Sequence, residues 1–125
     1  MYASKKSQAV WIASVALAVV FMGAGAAKLA GLPLMVEMFQ RFGLPHWVLL
    51  TVGVLEILGA LLLLNGATRP YAATGLAVVM IGASLAHVMT GVMPYMLFFN
   101  AALCFAAGWV LMQHRPGVLQ VRRSA

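Results

Sequence analysis

Four residues of types that do chemistry stand where hydrocarbon is expected. Glu56 interrupts the apolar run from Gly53 to Leu64, Lys28 and His87 interrupt two other apolar segments, and Asn100 interrupts a fourth. A charged side chain at the centre of a bilayer costs at least ~2.5 kcal/mol on insertion scales, so a carboxylate there needs a cationic partner, a water-filled cavity or a proton. The chain has only two acidic residues, and one of them lies in such a segment. A carboxylate, an ammonium and an imidazole support three kinds of site. They can form a buried ion pair that fixes register, with His87 and Asn100 satisfying leftover hydrogen bonds. They can form the polar floor of a pocket for a small amphipathic ligand such as a quinone or lipid. They can also form a proton relay through Glu56 and His87.

The elements that position these groups follow from composition. The hydrophobic fraction is 64%, charged residues are 8% and mean hydropathy is +1.00, values that belong to an integral membrane protein. A chain of 125 residues holds four spans of ~20 residues each and leaves no room for a soluble domain. The apolar runs place these spans at about Gln8 to Ala30, Trp47 to Leu64, Tyr71 to Thr90 and Pro94 to Gln113. Gly31-Leu32-Pro33 stops the first, and Pro94 suits the first turn of the fourth. Leu34 to Phe42 is too short to cross; Glu37, Gln40 and Arg41 share one face and apolar residues the rest. It reads as an amphipathic helix lying at the interface, with Glu37 and Arg41 spaced for a helical ion pair. The expected fold is therefore all-α, an integral membrane antiparallel four-helix bundle with a short amphipathic interfacial helix between spans one and two. Residues 1–114 form a single four-span transmembrane domain and residues 115–125 a basic cytoplasmic tail.

The formal charge of +6 does not come with the basic, aromatic-interleaved stripe of a nucleic-acid binder, so no nucleic-acid partner is expected. Lys5, Lys6, Arg69, Arg115, Arg122 and Arg123 fall in the N-terminus, the middle loop and the tail. An even number of spans puts these on one side, which the positive-inside rule makes cytoplasmic. Lys5-Lys6, the apolar run and Ala24-Gly25-Ala26 also resemble a secretory signal. The apolar stretch continues to about Leu32, longer than the ~7–15 residues of a signal core, so an uncleaved helix is expected.

Helical side chains tilt toward the helix N-terminus. Lys28 and His87, near the outer ends of outward-running spans, thus lean deeper, while Glu56 and Asn100 on inward-running spans lean outward. The four should converge in the outer half of the bundle, and Thr51, Ser84, Thr90 and Tyr95 could extend the network. Other residues suggest packing. Gly23 with Ala27, Gly82 with Ala86, and Ala102 with Ala106 permit close helix contact. Met80, Met89, Met93 and Met96 read as pliable core, Cys104 as an inert thiol, and Phe98, Phe99, Phe105 and Trp109 as packing or lipid-facing groups. His46, His87 and His114 lie at different depths, so no metal site is expected.

Several short stretches resemble the DoxX-like family of small bacterial membrane proteins. They are Gly25-Ala-Ala-Lys28-Leu29-Ala-Gly31, Gly43-Leu44-Pro45, Glu56-Ile-Leu-Gly59-Ala60 and Met80-Ile-Gly82-Ala83, within a resemblance covering about residues 12 to 112. The resemblance implies a four-span antiparallel bundle. The family's name derives from a subunit of a thiosulfate:quinone oxidoreductase, relatives are linked to redox complexes, and more distant four-span relatives include a chaperone of nicotinic receptors. Lys28 and Glu56 match the family's polar marks and His87 matches less securely.

The sequence thus suggests a bacterial inner-membrane protein, multi-pass with both termini cytoplasmic, acting as a binding or accessory subunit without independent catalysis. Its ligand-binding or buried polar cluster is Lys28, Glu56, His87 and Asn100, with no catalytic residues assigned. No cofactor motif is evident, and quinone is the candidate ligand. Expected partners are the lipid bilayer and either a second copy or a membrane redox complex. The alternatives are a subunit of a quinone-linked oxidoreductase, a proton-coupled small-solute transporter and a membrane-protein assembly chaperone.

Overall fold

A computed structural model describes residues 5–114. The described residues form five helices: α1 (Lys5–Leu29), α2 (Pro33–Arg41), α3 (His46–Leu63), α4 (Arg69–Thr90) and α5 (Met96–Met112). The first, third and fourth are long and apolar enough to cross a membrane. At 17 residues, α5 sits at the short end of the ~17–25 residues that span a bilayer. The proposed basic tail at 115–125 lies outside the described residues.

The triplet Gly-Leu-Pro occurs twice and does the same work each time. At the end of α1, Leu32 N–H donates to Ala27 O and Gly31 N–H to Lys28 O; after α2, Leu44 N–H donates to Phe39 O and Gly43 N–H to Gln40 O. Both are the paired bonds of a left-handed glycine stop, with φ of +70° at Gly31 and +78° at Gly43. Proline then sets the start of the next helix, as the first residue of α2 at Pro33 and just before α3 at Pro45. Helix α4 stops at Gly91, also at φ +70°, whose N–H returns to His87 O.

The fourth span differs from its expected start. Met93 adopts φ +45°, which holds Pro94 and Tyr95 in a turn, and α5 begins at Met96. Proline therefore precedes the helix here instead of opening it.

Helix α1 packs on α3 and α4 on α5; α3 against α4 and α1 against α5 complete the ring, with α1 and α5 meeting most sparsely. The exterior is apolar: Ile12, Val19, Val78, Met89, Phe98 and Phe105 are all exposed. The charged residues Lys28 and Glu56 are buried. This arrangement inverts a water-soluble protein and suits a lipid solvent. The chain is a membrane helical bundle.

The interior contains two apolar clusters. One, built on Leu17, Phe21, Leu63, Leu76, Ala107 and Val110, fills the end that carries the α3–α4 loop. There Arg69 Nε donates to Leu63 O at 2.8 Å, capping an orphan carbonyl of α3, and its guanidinium lies over the Trp11 ring. The other cluster, Met38, Phe39 and Leu49 with Phe42, Val48 and Val52 around them, lies at the α2 end. The polar residues lie between the two.

Helix α2 is the short amphipathic helix expected between spans one and two, and it packs onto the bundle. Met38 and Phe39 are buried, so its apolar face closes the end of the bundle over α3. Glu37 and Arg41 point outward as expected. They make no ion pair; among the described residues Lys28–Glu56 is the pair within contact distance.

Candidate functional site: a cavity with an ion pair at its polar end

The site begins with two glycines. A Cβ on Gly25 would fall 2.7 Å from Gly53 O and 2.7 Å from a carbon of the Ile57 side chain; one on Gly53 would fall 3.1 Å from Gly25 O and 3.1 Å from Lys28 Cβ. Backbones of α1 and α3 therefore touch at Gly25 and Gly53. Lys28 and Glu56 each follow their glycine by three residues, which puts them on the same helix faces as the crossing. Because the helices are antiparallel, the two Cα atoms lie on opposite sides of that crossing. Each side chain leans toward its own N-terminus, and so back toward the crossing. The ammonium and carboxylate meet there, Lys28 Nζ to Glu56 Oε1, at 2.8 Å.

Glu56 is 1% exposed and Lys28 7%. No further hydrogen-bond partner reaches the Glu56 carboxylate from the described residues. One ammonium leaves much of a carboxylate's acceptor capacity unused.

A cavity of about 350 Å³ opens beside the pair, within the usual range for ligand pockets of ~300–1,000 Å³. Lys28, Glu56, His87 and Asn100 all line it. The four predicted residues come from four different helices, and the structure brings them to one space. The remaining wall is apolar, with Phe21, Met38, Phe39, Phe42, Phe99 and Leu103 prominent.

His87 is buried, and its Nδ1 lies 2.6 Å from Val92 O in the α4–α5 turn. A carbonyl only accepts, so Nδ1 is the protonated nitrogen. The ring also stands edge-on to Phe42, with centroids 4.9 Å apart. His87 thus ties the α4–α5 turn and the tip of α2 to the site. Asn100, 4% exposed, is different: its Nδ2 has no hydrogen-bond partner among the described residues.

The expected wider network does not form. Thr51 donates to Trp47 O, Ser84 to Met80 O and Thr90 to Ala86 O, each bonding the carbonyl one turn back on its own helix. Tyr95 is exposed. Of the small residues spaced for helix contact, Gly23 and Gly82 make none here: a Cβ on either would meet nothing within 4 Å, whereas one on Gly59 would press on Leu76. Of the methionines, Met80 is core but Met89 is 82% exposed. Cys104 is a free, half-buried thiol. No group of metal-binding side chains clusters among the described residues.

The residues that sequence reasoning missed are Met35, Met38 and Phe39 of α2 and Phe42 just after it, which line the cavity. The signal was present in the spacing of apolar residues along Pro33–Arg41, but that pattern suits a lipid interface equally well.

No solved structure matches the chain. A relative from Bacillus subtilis (strain 168), the uncharacterized protein YdgD, is 34% identical over 94 residues, covering 72% of this chain and 82% of its own length. The profile of the DoxX-like family matches residues 12–110. That match takes in the glycine crossing, the ion pair, the α2 roof and all four cavity-lining polar residues, and the chain belongs to the DoxX-like family.

Proposed function

We propose that this membrane protein is a binding or accessory subunit whose cavity takes a small amphipathic ligand such as a quinone or lipid. The observation that carries the proposal is the cavity itself: about 350 Å³, apolar over most of its wall, with Lys28, Glu56, His87 and Asn100 lining it. Polar groups fix a ligand's head, and apolar walls accept the rest of it. A purely structural ion pair needs no adjoining space. The role assigned is binding, in service of a membrane complex, without independent catalysis by this chain. The test is organic extraction and mass spectrometry of protein purified in mild detergent. Wild type should carry a quinone or lipid near one per chain, and Glu56→Gln should lose most of it. A wild-type protein that is folded but carries no such molecule contradicts the proposal.

We further propose that the chain is a single four-span domain in a bacterial cell (inner) membrane with both termini cytoplasmic. Lys5, Lys6 and Arg69 lie at the end opposite α2, and cytoplasmic loops carry an excess of Lys and Arg. A C-terminal green fluorescent protein fusion should fluoresce, and a C-terminal alkaline phosphatase fusion should be inactive. The reverse pattern would put the cavity's α2 end in the cytoplasm.

A further inference from the structure

We infer, on the basis of the ligand-pocket proposal above, that the ligand is a neutral amphiphile whose head carries both a hydroxyl donor and a hydrogen-bond acceptor, with Asn100 as its anchor. Two unfilled hydrogen-bonding capacities define the head. Asn100 Nδ2 is buried without a partner among the described residues, and a primary amide nitrogen only donates, so it calls for an acceptor. The Glu56 carboxylate has one ammonium contact and only accepts when ionised, so it calls for a donor. A hydroxylated head beside an ester, ether or ring oxygen supplies both, so within the quinone class it is the reduced quinol, not the acceptor-only quinone, that fits.

Charge argues for neutrality. Lys28 and Glu56 face each other at 2.8 Å and cancel, and among the described residues no other Lys, Arg, Asp or Glu lines the cavity. A carboxylate or phosphate head would bring an uncompensated charge beside Glu56 in a low-dielectric space. A neutral head carries no such penalty.

The exit for the tail is also visible. Phe99 and Gly82 line the cavity and are exposed on the outer surface as well. Phe99 lies about 5 Å into α5 and Gly82 about 12 Å from the end of α4 by the helical rise, depths at which the surroundings are acyl chains. A hydrocarbon tail leaves there without crossing water.

Asn100 is the residue that separates a binding role from a structural one. Replacing a buried, unpaired polar group by an apolar group of the same shape is neutral or stabilising. Asn100→Leu should therefore melt at or above the wild-type temperature when no ligand is added. The probes are monoolein and decylubiquinol, both hydroxylated and neutral but from different lipid classes, then methyl oleate, which offers only acceptors, and oleate, which is anionic. Native mass spectrometry counts retained probe, and thermal unfolding reads stabilisation.

For wild type, monoolein or decylubiquinol should be retained and raise the melting temperature by roughly 4 °C or more; which of the two binds better identifies the source. Methyl oleate should bind at least about tenfold more weakly, oleate more weakly still, and Asn100→Leu should lose about tenfold for the favoured probe. Stronger retention of oleate overturns the neutral head. Equal retention by Asn100→Leu, or a lowered melting temperature of that variant without ligand, overturns the anchor while leaving the pocket intact. If wild type retains no probe and carries no copurified amphiphile, the pocket proposal falls with it.

Discussion

Lys28→Met is expected to lower stability in detergent or bicelles by about 3–5 kcal/mol, the usual loss when one partner of a buried pair is removed. The cause is less the missing contact than the carboxylate left behind, since Glu56 is 1% exposed and has no second cation at contact distance among the described residues. Glu56→Gln should destabilise for the converse reason, stranding the ammonium. The double variant removes both charges together, so it should recover part of the summed losses. A coupling of about 0.5–3 kcal/mol between the two positions is expected. Reversible unfolding of the four proteins under one condition measures it, and strictly additive losses would show that the two groups do not interact.

The second large effect is expected at the helix crossing, where space and not charge decides. Gly25→Ala puts a methyl 2.7 Å from the Gly53 carbonyl oxygen, a backbone atom that cannot move without parting the helices. Overpacking of this kind costs about 1–3 kcal/mol, against a gain of up to ~1 kcal/mol from the better helix propensity of alanine. Gly25→Leu should be worse and should separate α1 from α3 altogether. Gly53→Ala pushes on Lys28 Cβ at 3.1 Å, so it should also disturb the ion pair one turn away. Gly23→Ala is the internal control: its methyl meets nothing within 4 Å, so its stability should be unchanged or higher. Thermal unfolding of this set checks the crossing. If Gly25→Ala matched Gly23→Ala, the helices would not touch there.

Most of the fold was legible because the punctuation is strong. Glycine and proline stand at the ends of long apolar runs, and two copies of Gly-Leu-Pro close α1 and α2 in the same way. The start of α5 was the exception, since it depends on the left-handed backbone at Met93, which its type does not advertise. The four polar residues were legible because lipid penalises them heavily. Depth, side-chain tilt and the cost of facing lipid put Lys28, Glu56, His87 and Asn100 in one region, and all four line one cavity.

What was illegible depended on choices among equivalent local options. Thr51, Ser84 and Thr90 are polar and lie near the cluster in sequence, yet each satisfies itself on its own helix; hydroxyls have that option, whereas lysine and glutamate at depth do not. Several small residues are spaced for helix contact, and only the three-dimensional crossing distinguishes Gly25 from Gly23. An amphipathic helix as short as α2 fits a lipid interface or a bundle end equally well. The burial of Met38 and Phe39 decides for the bundle end, and makes α2 part of the cavity.

The meeting of opposite charges from α1 and α3 inside the bundle, beside the cavity, underlies both the fold and the proposed site. Its most direct test is a nitrogen–carbon dipolar measurement by solid-state NMR in lipid bilayers, between Lys side-chain ¹⁵N and Glu side-chain ¹³C. The chain has three lysines and two glutamates, and Glu37 is exposed on α2, so a Glu56→Gln sample assigns the signal. Direct contact, matching the 2.8 Å separation of Lys28 Nζ and Glu56 Oε1, should give a strong coupling that vanishes in that variant. A wild-type protein, folded in bilayers, with no such coupling would contradict the account.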